Sequence, residues 1–292
     1  FLSKKLISAK SAILGFFAEV PIGLITIEDS LNALKKFNSS KQEKMELAIL
    51  LREPIAIDYF NEKSGARETT SAIILSSLKT IPALVGEIFS EEERDLSAVY
   101  EGILRGISIG HVGSGDISNY LFSKKLIKKD DPSIIQQYLN NLASFGIIRR
   151  IELFKKKKFI YKLISPLSKI YYYADEKYNL SERRMTNKEL SPIIDELMPR
   201  LVEDNVRETL AEKYGLRESI LEAKDFDIDG CLLKFKKPEI VLEVKWGELG
   251  KKEIDRAEEN LARIDAAKKF LFVKDKRNIR SKLKLLDVDD LT

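Results

Sequence analysis

The segment "PEIVLEVKWGEL" (238–249) places a carboxylate and an ammonium group two residues apart within an apolar, β-branched run. Runs of this composition are typical of β-strands, in which alternate side chains share one face. Glu243 and Lys245 are therefore predicted to face a cleft, while Leu242 and Val244 point into the core. A charged pair on a strand of this kind is a candidate for chemistry.

A second acid precedes this strand. Asp229 lies in another strand-like run, and the turn "KKP" (236–238) lets the two runs pair, so that Asp229 and Glu243 converge. Two neighbouring carboxylates repel unless a cation lies between them. The pattern therefore predicts a divalent cation held by Asp229 and Glu243, with Lys245 orienting or activating a water molecule.

Composition limits which cation and which class of protein are expected. The chain has 292 residues, 44% of them apolar and 33% charged, with one Cys and one His. This favours a cytoplasmic globular protein of two or three domains, with no disulfide framework and no membrane partner. A metal site must then be built from carboxylates, which favours Mg²⁺ or Mn²⁺. The Lys- and Glu-rich composition is typical of thermophiles.

Residues 1–62 are predicted to be mostly helical. Residues 25–37 carry an apolar stripe of helical period behind the capping candidates Thr26 and Asp29. Residues 41–60 form a second helical pattern that is stopped by Pro54, and 61–70 is predicted to be a loop.

Residues 71–165 predict a DNA-binding unit. Three helical segments (96–108, 116–122 and 132–144) precede two β-rich runs joined by four lysines. Three helices followed by a hairpin is the order of a winged helix-turn-helix. The net charge of +4 is modest, so nucleic-acid binding needs a local basic patch of this kind.

The residues expected to contact DNA are polar or basic and lie on the third helix or on the basic hairpin. They are Gln136, Gln137, Asn140, Arg149, Arg150, Lys155, Lys156, Lys157 and Lys158. Residues 166–192 are expected to be a connector able to act as a hinge. Residues 193–292 are expected to form an α+β domain with a last helix near the C-terminus.

An acid, a gap of 10–20 residues and then acid-x-Lys on an apolar strand resembles the PD-(D/E)XK nuclease signature, here Asp229, Glu243 and Lys245. The resemblance implies a restriction-endonuclease-like domain over 193–292, Lys245 as the catalytic residue, and Asp229 and Glu243 as metal ligands. It also implies that Glu203, in "PRLVEDNVRETL", is a third metal ligand. In the run "FDID", Asp227 is the alternative to Asp229.

The whole chain resembles the C-terminal part of the archaeal ATPase (DEXX-box ATPase) family. The resemblance rests on the segments "ELAILLREPIAIDYF", "PRLVEDNVRETL" and "EVKW" and on the winged helix, and it makes 1–70 a helical lid-like segment. The chain contains no G-x-x-x-x-G-K-[ST] motif. ATP binding is therefore implied only for a longer parent protein.

Taken together, the sequence predicts an α+β multidomain protein that binds DNA, with metal-dependent phosphodiester hydrolysis as the further expectation. The alternative is a non-catalytic DNA-binding regulator or interaction module controlled by ATP in the parent. An active nuclease requires its acids and lysine in an open cleft, whereas a regulator can bury or salt-bridge them. The DNA target and the oligomeric state are left open.

Overall fold

The computed structural model describes residues 22–61, 63–86, 94–183 and 185–292. The first elements are all helices: α1 (Ile27–Leu34), α2 (Lys41–Leu50), α3 (Pro54–Ile57), α4 (Ala66–Ser76) and α5 (Thr80–Gly86). The next group is three helices and a hairpin: α6 (Arg94–Ser108), α7 (Ser114–Ser123), α8 (Pro132–Ser144), β1 (Ile148–Leu153) and β2 (Lys158–Leu163).

Three helices, six strands and a 3₁₀ turn follow: α9 (Pro166–Tyr178), α10 (Asn187–Lys213), β3 (Ser219–Glu222), β4 (Asp227–Ile228), β5 (Gly230–Lys234), β6 (Lys237–Lys245), α11 (Lys251–Ala262), β7 (Lys268–Val273), β8 (Lys284–Leu286) and the turn (Val288–Leu291). The α+β class predicted from the sequence is confirmed. None of the helices in the described ranges combines the length and the apolar character required to span a membrane.

The N-terminal helices follow local sequence signals with two differences. Thr26 caps α1, since its hydroxyl accepts a hydrogen bond of 3.1 Å from the backbone N–H of Asp29. Pro54 also begins a helix. It occupies the first turn of α3, where a backbone N–H has no partner within the helix, so its absence loses no hydrogen bond. The loop predicted over 61–70 is shorter than expected, because α4 begins at Ala66.

The three helices and the hairpin predicted over 96–163 are all present. The carboxylate of Asp131 caps α8 by accepting from the N–H of Ser133 at 3.0 Å. Strands β1 and β2 are antiparallel, with Ile151 opposite Ile160. We call β1, β2 and the turn between them (148–163) the wing.

The prediction of a connector over 166–192 is wrong for most of its length. Helix α9 spans Pro166–Tyr178, and Tyr171, Tyr172 and Tyr173 are all buried. The aromatic run appeared turn-rich in sequence, but three tyrosines bury a large apolar area when they pack against α6 and α10. Helix α10 begins at Asn187, inside the expected connector, and Glu189 in its first turn accepts a hydrogen bond of 2.8 Å from the N–H of Thr186.

Two four-stranded sheets organise the rest of the chain. The first has the order β2-β1-β3-β4 and the second has the order β5-β6-β7-β8. In the first sheet β1 pairs with β3 in parallel, with Glu152 opposite Ser219. The wing is thereby hydrogen-bonded to the segment that follows α10, and the two parts of the chain share one sheet.

The C-terminal segment differs from expectation at its end. Helix α11 ends at Ala262, and the last helix expected near the C-terminus is replaced by β8 and the 3₁₀ turn. One buried apolar cluster extends from Ile27 in α1 to Leu291 in that turn. The N-terminal helices are also tied to β6, since the indole Nε1 of Trp246 donates to the carboxylate of Glu46 at 3.0 Å.

Candidate active site

The pairing of β5 with β6 decides which acid lies beside Glu243. These strands are antiparallel, with Gly230 opposite Leu242. Asp229 directly precedes Gly230 and therefore lies opposite Glu243. Its carboxylate oxygen Oδ2 accepts a hydrogen bond of 2.8 Å from the backbone N–H of Val244, which fixes the side chain against the strand.

Asp227, the alternative acid, lies elsewhere. It is an exposed residue of β4, where it pairs with Glu222. The short turn between β5 and β6 sets a register that brings Asp229 to Glu243. The structure therefore favours Asp229 over Asp227 as the partner of Glu243.

Glu243 and Lys245 form an ion pair on one face of β6. The ammonium Nζ of Lys245 lies 2.6 Å from Oε2 of Glu243. Glu243 is only 3% exposed, whereas the side chain of Lys245 is 33% exposed. Burial opposes the charged form of Lys245, but the carboxylates of Glu243, Asp229 and Glu203 outweigh it and raise its pKa.

Glu203 completes the group from the long helix α10. It is partly buried, and within the described ranges its carboxylate forms no hydrogen bond or ion pair. Burial, followed by the nearby carboxylates of Asp229 and Asp204, raises the pKa of Glu203 to about 7. Burial and the adjacent carboxylate of Asp229 likewise raise the pKa of Glu243 to about 7.

This donor set fits a hard divalent cation. Asp229 and Glu243 supply carboxylate oxygens whose mutual repulsion a cation would relieve. In the described ranges no group of three or more Asp, Glu, His or Cys side chains is arranged to hold a metal ion. Mg²⁺ is commonly bound through one or two carboxylates, with water and substrate phosphate completing its shell. Asp229 and Glu243 match that pattern, and Glu203 lies beside them.

A cleft of about 550 Å³ opens beside Glu203 and Asp229. One wall comes from the end of α6, the loop before α7 and β2. The other comes from α10, β3 and β4. The cleft therefore lies between the three-helix unit and the segment that carries the acids.

A buried ionic cluster lies directly behind Glu203, and the sequence reasoning missed it. The carboxylate of Asp204 accepts hydrogen bonds from Lys162 of β2 at 2.5 Å, from Lys169 of α9 at 3.0 Å and from Arg207 at 2.7 Å. We call these four residues the Asp204 cluster. Arg207 also contacts Glu218 at 2.6 Å. The helical spacing of Asp204 and Arg207 was visible in "EDNVRE", but the lysines come from distant elements.

The polar residues predicted on the third helix are at its surface. Gln137 and Asn140 are exposed on α8, and Gln136 is partly buried. The amide Nε2 of Gln136 donates to Asn140 at 3.2 Å, and that of Gln137 donates to Asn141 at 2.9 Å. The amide of Gln136 also donates to the hydroxyl of Tyr161 at 3.4 Å.

The lysines of the wing are also exposed. Lys155, Lys156, Lys157 and Lys158 surround the turn between β1 and β2. Lys156 lies 3.3 Å from Glu222. The guanidinium of Arg150, on the adjoining strand, stacks 4.3 Å from the ring centre of Phe159. This side of the wing presents a concentrated positive charge to solvent.

Arg149 is not part of that surface, contrary to expectation. Its guanidinium contacts Glu208 at 3.0 Å and Glu218 at 3.2 Å, on the opposite face of β1 from Arg150. Successive residues of a strand point to opposite faces, so Arg149 and Arg150 cannot both lie on the exposed face of the wing. Arg149 joins the wing to α10 instead.

The chain was compared with protein-family models, curated proteins and solved structures, and none of them matches it.

Proposed function

We propose that this protein binds DNA through a winged helix formed by α6, α7, α8 and the wing, and hydrolyses phosphodiester bonds at a restriction-endonuclease-like site. The proposal places it in the cytoplasm. The proposal rests on one observation: three carboxylates and one ammonium group lie close enough to shift one another's pKa, and they belong to Asp229, Glu243, Glu203 and Lys245. Burying several carboxylates together costs free energy, so such a group points to a ligand that offsets the cost.

Each residue has a role in the proposed reaction. Bound Mg²⁺ or Mn²⁺ would supply Lewis-acid polarisation of the phosphate. Asp229 and Glu243 would hold the cation, and the carboxylate of Glu203, which was expected to be a third ligand, would lie beside them. Lys245 keeps its proton at neutral pH, since the pKa of a lysine ordinarily lies well above neutral and the neighbouring carboxylates raise it further. It therefore orients the attacking water and stabilises the negative charge of the phosphorane, as a donor rather than as a base.

Replacing Lys245 with alanine is expected to lower metal-dependent DNA cleavage by about 100-fold or more, because a donor to the developing charge is lost. Supercoiled plasmid and a branched oligonucleotide would be incubated with Mg²⁺, with Mn²⁺ and with EDTA. The matched control is Lys251→Ala, which removes an exposed lysine at the start of α11. Thermal unfolding of each variant would show that it is folded.

Cleavage by the wild type and by Lys251→Ala, but not by Lys245→Ala, would support the proposed nuclease. Equal cleavage by Lys245→Ala and the wild type would exclude the proposed site as its origin.

Removing charge from the wing is expected to weaken DNA binding in a salt-dependent manner. Lys157 and Lys158 are exposed and form no ion pair in the described ranges. The double variant Lys157→Ser, Lys158→Ser is expected to reduce the slope of log affinity against log salt by about 2, since each lost phosphate contact releases about one fewer counterion. Fluorescence anisotropy at salt concentrations between about 50 and 200 mM would measure this slope.

The matched control for the wing removes two neighbouring lysines elsewhere. Lys251 and Lys252 are exposed on α11, and Lys251→Ser, Lys252→Ser is expected to leave the slope unchanged. A similar change in both double variants would show that overall charge, rather than the wing, governs binding.

A second function is favoured by one specific observation. Glu243 is almost fully buried and is already ion-paired with Lys245 at 2.6 Å, which suits a site that performs no chemistry. In this alternative the chain is a DNA-binding regulator, controlled by ATP in a longer parent that resembles archaeal ATPases. Salt-sensitive DNA binding by the wild type without any metal-dependent cleavage would favour the regulator.

A further inference from the structure

The cleft beside Glu203 has a volume of about 550 Å³ and is lined by both charged and apolar side chains. Part of the wall is apolar and is formed by Ile107, Ile109, Ile160, Ile220 and Ile228. Apolar surfaces of this kind suit the faces of unstacked bases.

Within the described ranges, one cation that lines the cleft has no ion-pair partner and is therefore available to an external anion. Lys162, Lys169 and Arg207 also line the cleft, but all three are paired with Asp204. Arg200 is exposed on α10, one helical turn before Glu203, and forms no ion pair or hydrogen bond within the described ranges. The charge of Arg200 acts on the carboxylate of Glu196, one turn earlier in α10, although the two side chains form no ion pair within the described ranges.

The cleft continues into a groove along the wing. That groove has a volume of about 480 Å³ and is bordered by Lys156, Lys157 and Lys158. Val112, Ile160 and Glu222 belong to the walls of both spaces. A nucleic-acid strand leaving a duplex on the wing would therefore meet the cleft directly.

We propose that the cleft binds a single nucleic-acid strand that extends from a duplex held on the wing, and that Arg200 binds a phosphate of that strand. The inference rests on the proposed DNA binding and specifies the substrate as DNA with an unpaired end or branch. Arg200 acts as a positioning residue, since its guanidinium can hold a phosphate oxygen bidentately one turn from Glu203. The acids Glu222 and Asp227 line the same space, and the paired Lys156 offsets the charge of Glu222.

The test measures binding without cleavage. Fluorescein-labelled duplexes of one sequence, blunt or with a single-stranded extension, would be titrated in EDTA and followed by anisotropy. The wild type is expected to bind the extended duplex about tenfold more tightly than the blunt one. Arg200→Ala is expected to remove most of that preference without changing affinity for the blunt duplex. Arg256→Ala, which removes an exposed arginine of α11 outside the cleft, is expected to behave as wild type.

Equal affinity of the wild type for both duplexes would overturn the inference, as would an equal loss by Arg200→Ala on both. Because the assay contains no metal, its result is independent of cleavage. A preference for the extended duplex that depends on Arg200 would support the inference even if the nuclease proposal failed. Cleavage without any such preference would refute the inference and leave the nuclease proposal in place.

Discussion

Replacing Asp204 with alanine is expected to lower the free energy of unfolding by about 3–5 kcal/mol, because it leaves buried cations without their counter-charge. Asp204 is buried and accepts hydrogen bonds from Lys162, Lys169 and Arg207. These cations hold its pKa well below the usual range despite the opposing effect of burial. The pKa of Lys162 is already lowered by burial, so loss of its proton relieves part of the cost in the variant.

The effect extends to function, since the Asp204 cluster joins the wing to α10. Lys162 belongs to β2, and Glu203 is the residue next to Asp204. Without the cluster, the wing and the acids are no longer held in a fixed relative position. The proposed cleavage and the proposed preference for an extended duplex are therefore both expected to fall in the folded fraction of the variant.

Urea denaturation at pH 7 would measure the loss of stability. Asp195→Ala is the matched control, because Asp195 also lies on α10 and pairs with Arg67, but its side chain is 59% exposed. A surface pair of this kind contributes about 1 kcal/mol or less. If Asp204→Ala is no more destabilising than Asp195→Ala, the buried cluster does not stabilise the fold.

Raising the pH from about 5 to 8 is expected to destabilise the metal-free protein. The pKa values of Glu203 and Glu243 are raised to about 7 from about 4.3 in an unfolded chain. The folded state therefore binds more protons than the unfolded state within this window. The stability that these protons provide is fully present below about pH 4 and is lost as the pH rises through 7, on the order of 3–4 kcal/mol for each carboxyl group.

Urea denaturation in EDTA at several pH values would reveal this loss. Glu243→Gln carries no titrating group, so its stability is expected to vary less with pH and to exceed that of the wild type at pH 8. Glu248→Gln, in the exposed loop after β6, is the matched control and is expected to follow the wild type. Parallel curves for the wild type and Glu243→Gln would contradict the raised pKa of Glu243.

Added Mg²⁺ provides the complementary measurement. A ligand that binds the folded state raises its stability, and protons compete with the cation for the same carboxylates. Mg²⁺ is therefore expected to raise the melting temperature of the wild type more at pH 8 than at pH 5.5. Glu243→Gln, which lacks one of the two proposed ligands, is expected to show little increase at either pH. Equal increases in both proteins would place the bound cation elsewhere.

Local patterns in the sequence determined several features of this protein. The alternation along β6 placed Glu243 and Lys245 on one face, because strand geometry depends on neighbouring residues alone. The short turn before β6 brought Asp229 to Glu243, since a hairpin register follows from the lengths of its runs and turn. The helices of 96–144 were likewise predictable from their apolar period and from the cap at Asp131.

Tertiary structure alone decided which charged side chains pair with one another. The sequence contains many cationic residues in α10 and the wing. The attraction between two charged side chains depends on the distance between them in space, however, and not on their separation along the chain. Asp204 engages Lys162 and Lys169 from two other elements, Arg149 turns towards α10, and Arg200 stays exposed at the cleft. The cleft itself exists because β1 pairs with β3, a contact between residues 67 positions apart that no local pattern specifies.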